Sequence, residues 1–416
     1  MPDPTAVDVY ASINGDSVLA GRLHSHHGRR AETATFAYSD SYLADPRAYA
    51  LEPGLPLFSG AQHTPVGLAL FRSFADSSPD RWGRRLITRA ERIRAQSART
   101  LGEFTYLLGV RDDLRQGALR FAQPGTTTFI ADDETGVPAL TDLPKLLDLA
   151  DRAESDTADY DDLRTLLRAG SSLGGARPKA HVRTDEGQVA IAKFPSAGSD
   201  TWNVMAWEKT AFDLARDAGI TVPPSRLLHI GGRDVHIIER FDRSGNVRLG
   251  YVSAMTMLEA RDGDTGSYLD IAATIEEHSP ATTTELRQLW KRIIFSILIS
   301  NTDDHLRNHG FLHQSGDSWT LSPAFDLNPD SSPGTKHLST AIDGSDTKAS
   351  ISLALQVAPL FRLSDAHAAR VLSEVLAATR RWAQVAAANG LTTRDITNMA
   401  TAFEHPEVAA AEALTR

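Results

Sequence analysis

Two acids and an amide in one part of the chain have the spacing that phosphoryl transfer requires. Asp303 is followed five positions later by Asn308, and Asp326 comes directly after the short run 321–325. Transfer from ATP needs one carboxylate to orient the hydroxyl nucleophile and oxygen ligands to hold Mg²⁺. We therefore interpret Asp303 as the candidate base and Asn308 with Asp326 as candidate metal ligands. Asp and Asn are also ordinary loop and cap residues, so this spacing by itself is more often a structural loop.

The element that must position these residues is the apolar run 289–299 just upstream. Its length and composition predict a helix buried in a core. The polar cluster then follows directly from a rigid element, which favours a site over a solvated loop.

A glycine-rich stretch, residues 170–180, interrupts an acidic, helix-like region with small residues and two cations. Glycines allow backbone N–H groups to approach phosphate oxygens closely, and a cation can add positive charge there. The stretch is neither a Walker A loop nor the usual kinase glycine loop, so a plain linker turn is at least as well supported by composition. The candidate phosphate-binding residues are Gly174, Gly175, Ala176, Arg177 and Lys179.

Lys193 lies in the strand pattern 188–195, just after the glycine-rich stretch. A lysine in this position is typical of kinases, where the ammonium pairs with the phosphates of the nucleotide. The alternative is an edge-strand lysine that blocks aggregation. Glu208, on the amphipathic helix pattern 207–219, is a candidate partner for Lys193 from its order in the chain alone.

A second apolar strand pattern, residues 235–243, becomes polar at its end. In a two-lobed kinase the chain crosses between lobes at such a point and offers backbone groups to adenine, so the segment from Glu239 to Phe241 is a hinge candidate. Charged residues at strand ends are common, and that interpretation stays open.

The overall composition predicts an ordinary globular protein of more than one domain. The chain has 416 residues, 41% of them hydrophobic and 23% charged. A formal net charge of -10 argues against general binding to nucleic-acid phosphates.

Cysteine is absent, which excludes disulfides, thiolate catalysis and Cys-based zinc sites. The first residues carry no basic segment followed by an apolar core, and we expect a cytoplasmic protein without membrane contact.

The N-terminal part alternates in the manner of antiparallel strands and then becomes helical. Residues 7–13 and 18–23 flank Asn14-Gly15 and predict a hairpin, with further strands at 34–38 and 55–58. A capped helix is expected next, with Pro79 at its first position. The six arginines between 81 and 94 invite a phosphate or nucleic-acid interpretation, but at helical spacing they more often form a solvated helix face. A composition break falls near residue 125.

Several of these segments, in this order, resemble the HipA family of toxin kinases. Residues 76–85 and 117–121 are similar to the N-terminal region of that family, so the resemblance covers nearly the whole chain. Several motifs in one order are far more specific than any one of them. The structural interpretations given above for the single motifs are therefore less favoured. The remaining motifs are 172–179, 191–195, 238–243, 302–308 and Phe325-Asp326.

The resemblance implies an α+β, protein-kinase-like two-lobed fold with an added N-terminal subdomain. The expected regions are a mainly β subdomain at 1–125, a region at 126–242 with the phosphate loop, ATP lysine and hinge, and a mostly helical lobe at 243–416. It implies a serine/threonine protein kinase that acts as the toxin of a type II toxin–antitoxin system. The partner is a DNA-binding antitoxin, HipB, through which alone the kinase reaches DNA, and the implied substrate is an aminoacyl-tRNA synthetase.

Carried over by motif, the resemblance assigns Mg²⁺ and ATP contacts residue by residue. Asp303 is the base, Lys193 contacts the phosphates, Asn308 and Asp326 bind Mg²⁺, and Glu239 with Phe241 forms the hinge. His305 and Phe325 lie at the nucleotide, and Ser172 matches an inhibitory autophosphorylation site, with Ser171 as its neighbour. The chain departs from one well-known member at Asp304, which replaces glycine, and at Arg177-Pro178, which replace Gln-Glu.

Two other functions remain as alternatives. Small-molecule kinases of related fold use the same acid, amide and second acid, and a kinase-fold module could act mainly as a corepressor that binds an antitoxin. The N-terminal motifs and the Ser172 loop favour a protein kinase over the first alternative. The corepressor alternative is less favoured, because a module without catalysis has no physical need for the residues of the site. These residues are Lys193, Asp303, Asn308 and Asp326.

Overall fold

The computed structural model describes residues 5–28, 31–96, 100–131, 136–170, 175–245 and 247–415. The chain divides into two compact units. The first comprises Met1–Ser199, Glu239–Val252 and Leu312–Asp317, and the second comprises Asp200–Ile238, Ser253–Phe311 and Ser318–Arg416. The expected boundaries at 125 and 242 stay a prediction.

Strands dominate the first part of the chain and helices dominate the last, as expected for an α+β protein. The strands are β1 Ala6–Ile13, β2 Asp16–His27, β3 Glu32–Tyr38, β4 Ala61–His63, β5 Leu119–Ala122, β6 Lys179–Arg183, β7 Val189–Lys193, β8 Ser225–Ile230, β9 Arg233–Glu239, β10 Arg243–Ser244, β11 Val247–Arg248, β12 Tyr251–Ser253, β13 Gly310–Ser315 and β14 Ser318–Leu321. The α-helices are α1 Asp40–Leu43, α2 Arg72–Asp76, α3 Arg81–Ala95, α4 Glu103–Leu108, α5 Leu143–Glu154, α6 Tyr160–Arg168, α7 Val204–Asp217, α8 Ala254–Met257, α9 Tyr268–His278, α10 Thr282–Leu298, α11 Ile351–Val357, α12 Asp365–Thr379, α13 Trp382–Ala388, α14 Thr393–Phe403 and α15 Pro406–Leu414.

The first unit is built on an antiparallel sheet in the order β4-β3-β2-β1-β5. The predicted hairpin is confirmed, since β1 pairs with β2 and both residues of its turn, Asn14 and Gly15, have positive φ. One face of the sheet packs an aromatic cluster in which the ring of Phe36 lies 5.5 Å from that of Phe74, centroid to centroid. The ring of Phe121 lies 6.0 Å from that of Phe74. These contacts bury the inward-facing residues of the alternating strands.

Two local predictions for this unit are wrong. Residues 55–58 form no strand, because Pro56 cannot donate to a sheet and Leu57 and Phe58 are exposed at 40% and 47%. The next helix does not begin at Pro79. Asp80 caps α3 instead, accepting a hydrogen bond of 2.8 Å from the backbone N–H of Gly83.

Two arginines of α3 connect the helix to other segments of its own unit. Arg84 forms two hydrogen bonds of 2.6 Å with the carboxylate of Glu103. Arg89 donates to the carbonyl of Ala158 at 2.9 Å and to Asp156 at 3.0 Å. These two side chains therefore tie α3 to neighbouring segments, which is a structural use and neither a phosphate site nor a purely solvated face.

The second unit is mainly helical and packs around large aromatic side chains. The indole of Trp207 on α7 lies 6.3 Å from that of Trp382 and 6.0 Å from the ring of Phe403. On α10, the side chains of Trp290 and Ile294 are fully buried. Burial of each such side chain contributes about 1.5–3 kcal/mol to stability. Among the described residues, no helix is long and apolar enough to cross a membrane.

Candidate functional site

The predicted buried helix before the polar cluster is α10, and it ends abruptly. Ser300 follows it with φ +55°, the left-handed conformation that commonly terminates helices. The N–H of Asn301 then returns to the carbonyl of Ser296 at 2.8 Å. This tight end fixes the direction in which residues 301–308 leave the helix.

Asp303 and Asn308 are brought together by the loop that follows. Asn308 lies in a short 3-10 helix, Leu306–Asn308, and its Nδ2 donates to the carbonyl of Asp303 at 2.8 Å. The N–H of His305 donates to the same carbonyl at 2.9 Å. Asn308 is buried whereas Asp303 is exposed, so the amide supports the loop from inside and the carboxylate faces outward.

Asp326 has φ +57°, a conformation that costs a residue with a side chain some strain and that is enriched at functional sites. The segment that carries it is linked to the Asp303 loop through Asn301. The side-chain oxygen of Asn301 accepts from the N–H of Asn328 at 3.2 Å, and Nδ2 of Asn328 lies 3.4 Å from Oδ1 of Asp326. Asn301 therefore joins the two chain segments of the predicted site, a role that its loop-like sequence context did not signal.

The charge environment of Asp303 suits a proton acceptor. Although Asp303 is exposed as a residue, the surrounding protein partly removes water from its carboxyl group, which raises its pKa. The charge of His305 lowers this pKa, and the negative charges of Asp326 and Asp304 raise it. A general base works best when its pKa is closer to the operating pH than that of a free carboxylate.

The donor atoms available here fit Mg²⁺ bound with a nucleotide. Because Nδ2 of Asn308 is used by the Asp303 carbonyl, Oδ1 is the atom of that side chain suited to a cation, and Asp326 contributes a carboxylate. Mg²⁺ commonly takes only one or two protein oxygens and completes its shell with phosphates and water. Over the described ranges no three His, Cys, Asp or Glu residues form a self-sufficient metal site.

His305 offers a further sign of a ligand. Its Nδ1 is buried and has no hydrogen-bond partner within the described part of the chain. Buried polar atoms are nearly always satisfied, so an orphan one beside the candidate base fits a bound group that the protein alone does not supply. Phe325 is partly buried directly before Asp326.

The other candidate residues lie in the first unit, and part of their loop cannot be described. Ser171, Ser172 and Gly174 fall outside the described residues. Gly175 and Ala176 are exposed, with φ +103° at the glycine, and Arg177 is half-buried. Their predicted role as a phosphate loop stays a prediction.

Lys179 and Lys193 are direct partners in the antiparallel pair β6 and β7. Residues paired in this way project from the same face of the sheet. Lys179 is buried and its ammonium is paired with the carboxylate of Asp80, whereas Lys193 is half-buried. The other edge of β7 is also used, since the Val189 carbonyl accepts from the N–H of Arg240 at 3.0 Å, which argues against a free edge strand.

The hinge candidates, Glu239 and Phe241, are half-buried at the end of β9 and just after it. The ring of Phe241 lies 6.2 Å from that of Tyr251. Between and after them, a buried ion pair fixes the backbone, with Arg240 donating to Asp242 at 2.6 and 2.8 Å. Asp242 also accepts from the N–H of Gly117 at 2.8 Å, so the hinge segment is attached to the loop before β5.

The structure thus places the predicted residues in two groups. Asp303, His305, Asn308, Phe325 and Asp326 belong to the second unit, and the phosphate-loop, lysine and hinge candidates belong to the first. The predicted pairing of Glu208 with Lys193 stays a prediction. Within its own unit, the buried carboxylate of Glu208 lies 3.3 Å from Nδ1 of His236.

Sequence comparison identifies a family for just over half of the chain. A family model described as the HipA-like C-terminal domain matches residues 171–383. Two curated relatives carry the name "Putative kinase": one from Haemophilus influenzae, 28% identical over 135 residues, and one from Sinorhizobium fredii, called Y4dM, 26% identical over 230 residues. The matches cover 29% and 47% of this chain, and they span only 39% and 53% of those relatives.

Structural comparison extends the likeness to nearly the whole chain. The fold is similar to that of a chain in the Shewanella oneidensis complex of the toxin–antitoxin proteins HipA and HipB with operator DNA. The TM-score is 0.67 at 16% sequence identity, and the match covers 97% of this chain and 96% of the other. The expected kinase-like α+β fold of HipA type is confirmed.

Proposed function

The chain belongs to the family of HipA-like C-terminal domains, and from that membership we propose that it is an ATP-dependent serine/threonine protein kinase that acts as a toxin. The observation that carries this proposal is the junction of Asp303, Asn308 and Asp326 in one loop system. Its polar groups are of the types that phosphoryl transfer needs, and the contact of Asn308 with the Asp303 carbonyl supports their use together.

In this proposal Asp303 accepts the proton of the attacking hydroxyl, and Asn308 and Asp326 hold Mg²⁺. Bound Mg-ATP supplies the phosphoryl group and the charge that neutralises its oxygens. Lys193, with Arg177 and the small residues 174–176, holds the phosphates, whereas Lys179, buried and paired with Asp80, supports the strand beside Lys193. The Glu239–Phe241 segment is the proposed hinge that offers backbone groups to adenine, and His305 and Phe325 are the proposed nucleotide neighbours on the catalytic loop and beside Asp326. Each of these roles is testable by substitution.

The proposed partner is a HipB-like DNA-binding antitoxin, since the similar Shewanella structure contains HipA together with HipB and operator DNA. This chain then contacts DNA only within such a complex, which suits its net charge of -10. The proposed substrate is a protein hydroxyl, with an aminoacyl-tRNA synthetase as the first candidate to assay.

Ser172 is the proposed autophosphorylation site. A phosphate there adds about -1.5 to -2 charge at neutral pH, which repels the phosphates of ATP and competes with them for the guanidinium of Arg177. The modified chain should therefore lose affinity for ATP and become inactive.

Intact-mass spectrometry of the purified chain incubated with Mg-ATP tests the proposal. We expect one added phosphate that peptide mapping assigns to Ser172 and that is absent from the Ser172→Ala variant. Absence of phosphate on the chain and on every supplied synthetase, with ATP bound, would support the corepressor alternative. Phosphate on Ser171, with unchanged ATP binding by Ser172→Asp, would overturn the assignment of the modified serine.

A further inference from the structure

The two adjacent acids of the catalytic loop have opposite surroundings. Asp303 is exposed, whereas Asp304 is buried with 4% of its surface accessible. A buried carboxylate is costly unless it is paired and hydrogen-bonded. The contacts of Asp304 therefore indicate what the residue is for.

Three side chains from different segments of the second unit converge on the carboxylate of Asp304. Its Oδ2 accepts from the hydroxyl of Tyr268, on α9, at 2.5 Å and from that of Ser296, on α10, at 3.1 Å. Its Oδ1 lies 3.1 Å from Nε2 of His309, at the far end of the loop. All three partners are buried, so this network lies inside the unit and not at its surface.

The backbone of the same residue is held as well. The hydroxyl of Thr340, itself fully buried, donates to the carbonyl of Asp304 at 2.6 Å. One residue earlier, the carbonyl of Asp303 is held by Nδ2 of Asn308. The candidate base is thus attached to a residue whose side chain and backbone are both fixed.

The charge of Asp304 is retained in this setting. Burial acts to raise its pKa, but the charge of His309 and the hydrogen bonds from the hydroxyls of Tyr268 and Ser296 outweigh burial and lower the pKa below its ordinary value. The same negative charge contributes to the raised pKa of Asp303.

We propose that Asp304 is a positioning residue for the candidate base, held by Tyr268, Ser296 and His309 so that the loop presents Asp303 in one fixed orientation. The proposal rests on the kinase function proposed above. A displacement of the order of 1 Å in a catalytic group can lower the rate by about 10²-fold, so loosening this network should lower kcat and leave ATP binding intact.

Tyr268→Phe tests position without altering charge, because it removes only the hydroxyl that donates to Asp304. We expect a kcat lower by about 10- to 100-fold, a KM for ATP close to that of the wild type, and faster hydrogen exchange in the peptide containing residues 301–308. Tyr42→Phe in the first unit is the matched control. It also removes a buried hydroxyl, one that donates to the carbonyl of Tyr49 at 3.0 Å, and should change neither kcat nor exchange in that peptide.

Asp304→Asn tests the carboxylate itself. It replaces the acceptor of the Tyr268 and Ser296 hydroxyls by an amide of the same size, and it should lower kcat and speed exchange in the same peptide at least as much as Tyr268→Phe does. Wild-type kcat and wild-type exchange in Tyr268→Phe would overturn the proposal. An inactive wild type would overturn the kinase function instead, and faster exchange in Tyr268→Phe would still support anchoring of the loop by Asp304.

Discussion

Lys179 lies directly opposite Lys193 in the hairpin of β6 and β7, and a carboxylate from the N-terminal part of the chain neutralises the first of them. Like charges directly opposite each other on one face of a sheet are destabilising. The side chains of Lys179 and Asp80 are 1% and 4% exposed, so their ion pair is almost completely removed from water. Asp80 thus allows two lysines to stand side by side where the phosphates are proposed to bind.

Asp80→Asn is expected to destabilise the first unit by about 3–5 kcal/mol, because it leaves the buried ammonium of Lys179 without its partner. Asparagine is as good a helix cap as aspartate, so the loss reports on the ion pair and not on the start of α3. Denaturant unfolding of Asp80→Asn, Lys179→Met and the double variant measures the coupling. We expect the double variant to be clearly more stable than the sum of the single effects allows. Additive effects would mean that the pair contributes nothing.

The raised pKa of Asp303 predicts how activity depends on pH. A base must be ionised, so kcat/KM should fall as pH decreases through the pKa of Asp303, at a pH above the ordinary value for aspartate of about 3.9. The charge of His305 lowers this pKa, and in His305→Gln the carboxylate loses that stabilisation. The acid limb should therefore move to higher pH. If the acid limb were unchanged or moved to lower pH, His305 would not be a group that lowers the pKa of Asp303.

The candidate metal ligand Asp326 can be tested through the Mg²⁺ dependence of nucleotide binding. Asp326→Asn removes the charge at constant size, and asparagine tolerates the left-handed backbone at this position, where φ is +57°. Titration calorimetry should show weaker binding of ATP in the presence of Mg²⁺ and little change in its absence. Equal affinity in the two proteins with Mg²⁺ present would exclude Asp326 as a ligand. Asn328→Ala is the control for a local disturbance, because it removes the side chain that contacts Asp326 and leaves the carboxylate in place. It should leave the Mg²⁺ dependence of ATP binding unchanged.

Some helices and strands were predictable because their residues repeat with the period of the element they form. The run 289–299 is buried as expected, and Asn14-Gly15 forms its hairpin turn. The segment 55–58 was wrongly predicted as a strand because its side chains favour strands. Strand preference depends on a surface to pack against, and Leu57 and Phe58 are exposed.

The candidate site was predictable in part. Asp303, Asn308 and Asp326 could be chosen from their types and order; Asn308 contacts the carbonyl of Asp303, and the roles of all three stay predictions. The supporting residues could not be predicted, because Asn301 and Asp304 in the second unit, and Asp80 in the first, act through partners distant in sequence. Thirty-six residues separate Tyr268 from Asp304, for example, and no local pattern encodes that contact. Long-range hydrogen bonds of buried polar groups become visible only in the folded chain.

The most direct test of the account is phosphoryl transfer by Asp303→Asn compared with the wild type, measured as incorporation of label from γ-labelled ATP under single-turnover conditions. The substitution keeps the size of the side chain and removes its ability to accept a proton. We predict a rate lower by about 10²–10⁴-fold with ATP affinity retained, since the loss falls on the transfer step and not on nucleotide binding. Wild-type incorporation by Asp303→Asn would contradict the assignment of Asp303 as the base and, with it, the proposed mechanism.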